Sequence, residues 1–131
     1  MKLLLDTHVL LWFLQSAPQL PSGMQAVIID PSNEVSVSVA SYWEIGIKQS
    51  LGKAFPWSGS IQALERLALE QEIITMPITA DSIERTKRLS KDHTDPFDRI
   101  IAATALSEEL IIASADSRLD VFLHNRLWHA A

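Results

Sequence analysis

Short apolar runs alternate with helix-like patterns along the whole of this sequence, and no two runs are joined by a tight turn. Residues 2–5 read Lys-Leu-Leu-Leu and stop at Asp6, and residues 111–114 read Ile-Ile-Ala-Ser with Asp116 two positions on. Uninterrupted apolar runs of this length suit parallel strands covered on both faces. Residues 34–40, alternating and rich in Val, and residues 73–76 read as two more strands, and 127–129 as a short final one. Between them lie helix patterns at 7–15, 24–29, 41–51, 60–70, 79–89 and 96–110. Gly52 closes the third of these and Pro96 opens the last. Strands that alternate with helices, without a β-hairpin signal, imply an α/β domain with a mainly parallel sheet. At 131 residues, without a repeat or linker, the chain is expected to be a single domain over 1–131.

Charge narrows the function. Eleven Lys plus Arg against sixteen Asp plus Glu give −5. That balance argues against a broad basic surface that grips nucleic acid through many phosphates, but it leaves a nucleic-acid enzyme open. The absence of Cys excludes a disulfide framework, a thiolate zinc site and a cysteine nucleophile. Any metal must therefore sit on oxygen or imidazole. The first residues carry one Lys and no apolar stretch long enough for a signal peptide or a membrane span, so a cytoplasmic protein without membrane contact is expected.

Four acids stand where a ligand is expected. In an open parallel sheet, ligands bind beyond the carboxyl ends of the strands, near the point where strand order reverses. Asp6 and Asp116 follow strands, and Glu44 and Asp98 lie in the first turns of helices that start at the same edge. Each has a local explanation as well. Glu44 completes a capping box opened by Ser41, Asp98 suits a helix N-terminus, and Asp6 and Asp116 could each cap a turn. Taken together, four converging carboxylates are unfavourable unless a cation binds or protons remain. Mg²⁺ or Mn²⁺ is the natural occupant of such an oxygen site. The chemistry that uses it is phosphodiester hydrolysis, in which the metal activates a water for in-line attack and no Ser, His or Cys nucleophile is needed.

The segments Leu4-Leu5-Asp6-Thr7-His8, Ser41-Tyr42-Trp43-Glu44-Ile45 with Lys48, Asp95-Pro96-Phe97-Asp98-Arg99 running into Ile101-Ala102-Ala103-Thr104-Ala105, and Ser114-Ala115-Asp116 resemble, in order and spacing, the PIN-domain toxins of the VapC type. The resemblance spans essentially the whole chain. It implies a three-layer α/β/α sandwich and a metal-dependent endoribonuclease that is the toxin of a type II toxin–antitoxin pair. A small antitoxin partner and a homodimer are implied with it. The family's metal-binding acids match Asp6, Glu44, Asp98 and Asp116. Ser114 fits as a helper that positions metal, water or phosphate, Thr7 as a support for the first acid, and Asp95 as a helix cap.

Around these, Lys48 either neutralises the pocket and holds a phosphate or forms an ordinary i,i+4 pair worth about 0.2–0.5 kcal/mol. Arg99 offers a cation for an acid or for RNA. His8 and His93 read as surface or packing residues rather than ligands. Trp12 and Trp43 are expected in the core or a subunit interface, and Trp57 at the surface. Two alternatives to a nuclease are a non-catalytic PIN-like module acting through protein partners and a phosphotransfer domain with an Asp acceptor. The second leaves Glu44 and the Asp95-to-Asp98 pattern unexplained. Setting the four proposed ligands aside leaves eleven bases against twelve acids, so most of the −5 belongs to the site itself.

Overall fold

A computed structural model of the chain describes residues 1–53 and 56–129. Its elements run β1 (Lys2–Leu5), α1 (Thr7–Leu14), α2 (Ser22–Ile29), β2 (Glu34–Ser38), α3 (Val39–Ser50), α4 (Ile61–Glu70), β3 (Ile74–Met76), α5 (Ala80–Thr86), α6 (Pro96–Glu108) and β4 (Ile111–Ala113), then a 3-10 turn at Ser117–Val121. The sheet has the order β3-β2-β1-β4, and every pairing is parallel. β1 lies inside, with a neighbour on each edge and helices on each face. Leu3, Leu4 and Leu5 are accordingly all inaccessible to solvent, which is why this strand reads as an unbroken apolar run.

Side chains alternate across a strand, and β1 divides its leucines between two cores. Leu3 and Leu5 join Val35 and Val37 of β2 under α1, α2, α3 and α4, through residues such as Leu10, Met24, Ile45 and Leu64. Leu4 joins Ile112 of β4 under α6, through Ile101, Ala102 and Ala105. α5 packs on α6 outside that second core. Three layers result, helices, sheet and helices, as the motif resemblance implies. The polar Ser36 is accommodated within β2 because its hydroxyl donates to the Leu3 carbonyl at 2.7 Å.

The structure corrects several local expectations. β2 passes directly into α3, which starts at Val39 and is capped by Ser38, whose Oγ accepts the Ala40 N–H at 3.0 Å. Ser41 and Glu44 are therefore buried positions inside the helix and form no capping box. The β-branched Val39 helps carry the strand signal two residues too far, to Ala40, and the earlier serine takes the cap. That start turns Tyr42 and Ile45 toward the core and leaves Trp43 61% exposed, so Trp43 is not a core residue. Trp57, expected at the surface, is half-buried against the first core. Its Nε1 donates to the Ser60 carbonyl at 3.1 Å. The short strand at 127–129 reduces to a single parallel bridge between Ala113 and Leu127.

Leu4→Ala opens a cavity between two layers that cannot close around it, and is expected to cost about 2–5 kcal/mol. Leu69→Ala, at a side chain more than half exposed, should cost under about 0.5 kcal/mol. Urea denaturation of both variants checks the contrast, and equal losses would contradict the layered core.

Candidate functional site

The strand order places the topological switch between β1 and β4. From β1 the chain turns to β2 on one side, and it reaches β4 on the other only after α6. A crevice opens at the carboxyl ends of these two strands. It holds a cleft of about 260 Å³, and Asp6, Glu44, Asp98 and Asp116 all line it. The expected convergence of the four acids is what the structure displays.

Asp6 is the first residue after β1 and is almost fully buried. Its backbone N–H donates to the Ala113 carbonyl at 3.0 Å, one step past the strand ladder. Its Oδ1 accepts the Thr7 N–H at 2.8 Å, and its Oδ2 accepts the Ser114 hydroxyl at 2.6 Å. Burial pushes this carboxyl above its ordinary range, and the two hydrogen bonds pull it back in part. Ser114 Oγ in turn accepts the Asp116 N–H at 3.0 Å. One hydroxyl thus ties the acid after β1 to the acid after β4.

Thr7 differs from expectation. Its hydroxyl donates to Glu44 Oε1 at 2.7 Å and lies 2.8 Å from Ser41 Oγ, so the side chain supports the second acid and only the backbone serves the first. Lys48 Nζ lies 3.0 Å from Glu44 Oε2, in the i,i+4 pair that its spacing allows. Glu44 is thereby held from both oxygens.

Asp98 occupies the third position of α6. Asp95 caps that helix, as expected, by accepting the Asp98 N–H at 2.9 Å. The Asp98 side chain lies 2.7 Å from His93 Nε2. Burial, with the Asp6 charge added, pushes its carboxyl up to about 6, against the opposing hydrogen bond from His93. Asp116 is held the other way, below the usual carboxylate range, because Arg118 grips both its oxygens at 2.8 to 3.1 Å. Arg99 touches no acid among the described residues. Its guanidinium donates to the carbonyls of Thr86, Leu89, Ser90 and His93 and lies 5.6 Å from the Phe122 ring centre.

Two residues stand at the site in places that the sequence pattern does not reveal. Arg118 is one, and a lone Arg two positions after an Asp carries no distinctive signal. His93 is the other: side-chain ligand atoms of His93, Asp98 and Asp116 all lie within 4.8 Å of one another. Its place in the run His93-Thr94-Asp95-Pro96-Phe97-Asp98 was the available hint, since a loop that turns into a Pro-initiated helix can fold back on the helix's first turn.

The PIN domain profile matches residues 3–122. The chain belongs to the PIN domain family. At the level of that family, the fold is a nuclease's. No curated protein matches this PIN domain by sequence. Among solved structures it is similar to a chain in the crystal structure of VapBC2 from Rickettsia felis bound to a DNA fragment from their promoter. The two are 12% identical over 97% of this chain and 96% of that one, with a TM-score of 0.68. At that identity the likeness is one of fold.

The donors present fit a hard divalent cation. They are carboxylate oxygens with one imidazole, that of His93, close to Asp98 and Asp116, and burial, with like charge added, raises the Asp98 and Asp6 carboxyls, a cost that a bound cation would offset. Without metal, Asp98 keeps its proton more readily in the folded than in the unfolded chain. Its contribution therefore favours folding at low pH and is lost as pH rises from about 4 through about 6. The gap between 3.8 and about 6 corresponds to at most about 3 kcal/mol. The Asp98→Asn variant lacks this dependence. In thermal melts with chelator, its stability relative to the unaltered protein should rise between pH 4.5 and 7.5, and a flat difference would contradict the assigned shift.

Proposed function

We propose that this PIN domain, spanning residues 1–131, is a cytoplasmic Mg²⁺- or Mn²⁺-dependent endoribonuclease and the toxin of a type II toxin–antitoxin pair. The observation that carries the reading is the convergence of Asp6, Glu44, Asp98 and Asp116 on one cleft at the sheet's switch point, with hydroxyls already in place on two of them. In this reading the four carboxylates hold the metal. When bound, the ion supplies activation of water and neutralisation of the scissile phosphate.

The chain's own residues do the rest. Ser114 fixes the Asp6 carboxylate, and Thr7 fixes that of Glu44. Lys48 and Arg118 bring positive charge to a cleft that would otherwise repel RNA. No helix among the described residues is long and apolar enough to cross a membrane. A small antitoxin as partner is supported by the similarity to the VapBC2 structure. Trp43, exposed and set edge-on to Phe97 at 5.5 Å, supports a protein contact, which we assign to the homodimer.

A non-catalytic module is the second reading. It is favoured by the partial self-neutralisation of the cleft, where Lys48 already pairs with Glu44 and Arg118 with Asp116. Metal and cleavage separate the two. Asp6→Asn and Asp98→Asn are each expected to abolish RNA cleavage and relieve growth inhibition while the fold survives. Cleavage by the unaltered protein should vanish with chelator and return with Mg²⁺ or Mn²⁺. Full cleavage by both variants, or cleavage indifferent to chelator, overturns the nuclease site proposed here.

A further inference from the structure

His93 lies in the connection between α5 and α6, outside the set of four acids, yet it is fixed more firmly than a loop residue needs to be. Its side chain is only about a tenth exposed. Nε2 stands 2.7 Å from Asp98 Oδ2. The imidazole stacks on Phe122, with ring centres 5.5 Å apart and planes 15° from parallel. The backbone that carries it is gripped from α6: Arg99 donates to the His93 carbonyl at 2.8 Å and to those of Thr86, Leu89 and Ser90. Consecutive residues of one helix therefore provide a site carboxylate, Asp98, and the clamp that sets that carboxylate's partner, Arg99.

We infer that His93 is a positioning residue for the Asp98 carboxylate. It commits one oxygen to an imidazole donor and keeps the carboxylate in the orientation in which it lines the cleft. Arg99 acts through His93 and not on RNA. The inference rests on the proposed metal site. A partner that orients a ligating side chain commonly changes metal affinity by about 10- to 100-fold when it is removed.

Mn²⁺ binding to the full chain, measured by calorimetry alongside thermal melts, tests this. His93→Phe keeps a ring to stack on Phe122 and removes the donor. It should melt cooperatively and bind Mn²⁺ about 10- to 100-fold more weakly. His93→Gln restores an amide N–H near the Nε2 position and should recover most of the affinity. His93→Asn, too short to reach Asp98 Oδ2, gives the same comparison should the Phe variant fail to fold. Unchanged affinity in the variants without the donor overturns the inference. Equal loss in His93→Phe and His93→Gln overturns it as well, by assigning the imidazole to direct ligation. An unaltered protein that binds no Mn²⁺ overturns the metal site itself and the inference with it, an outcome distinct from the other two.

Discussion

Asp6 is where the sheet, the first helix and the cleft meet, and the remaining site geometry depends on how it is held. Its amide continues the β1–β4 ladder to Ala113, one carboxylate oxygen caps α1 through Thr7, and the other is tied to Ser114. Burying a carboxylate is costly unless hydrogen bonds compensate, and here the compensating donors come from two different elements. The same hydrogen bonds that make the burial tolerable also fix the acid's position to within side-chain contact distance of the end of β4. Stability of the switch point and precision of the site are, in this respect, one requirement.

The cleft shows how such a concentration of charge is managed. Each acid has its own companion: Ser114 for Asp6, Thr7 and Lys48 for Glu44, His93 for Asp98, and Arg118 for Asp116. The outcomes differ with burial. Asp116, partly open and held by a bidentate guanidinium, is kept ionised, whereas Asp98, half-buried and under the influence of the Asp6 charge, is driven toward its neutral form. The net charge of −5 is thus not spread evenly in its effects. Part of it is gathered in one crevice and held there by protein cations and hydroxyls.

Much of this was readable from residue order, and the limits have physical causes. The buried leucines of β1 and the isoleucines of β4 announce parallel strands because both faces of each strand are covered. The position of each acid relative to its strand or helix then puts it at the right edge. Local rules failed where two residues competed for one role. Ser38 and Ser41 can each cap a helix, and which of them does so decides whether Trp43 faces the core or the solvent. The partners of Arg99 and His93 are not legible in the sequence because they are set by a loop folding back on α6. Four backbone carbonyls presented to one guanidinium leave no trace in spacing.

The Ser114–Asp6 hydrogen bond joins residues 108 positions apart, and this has a consequence for when the site comes into being. β1 is made first but stays incomplete on one edge until β4, near the end of the chain, arrives to pair with it. Contacts of such long range form late in folding, after the intervening chain has been ordered. At synthesis rates of about 5–20 residues per second, Ser114 follows Asp6 by roughly 5–20 s. During that interval a growing chain has its first acid but not its last. The four carboxylates cannot yet share a cleft, which is complete only once β4 has been made and has paired with β1.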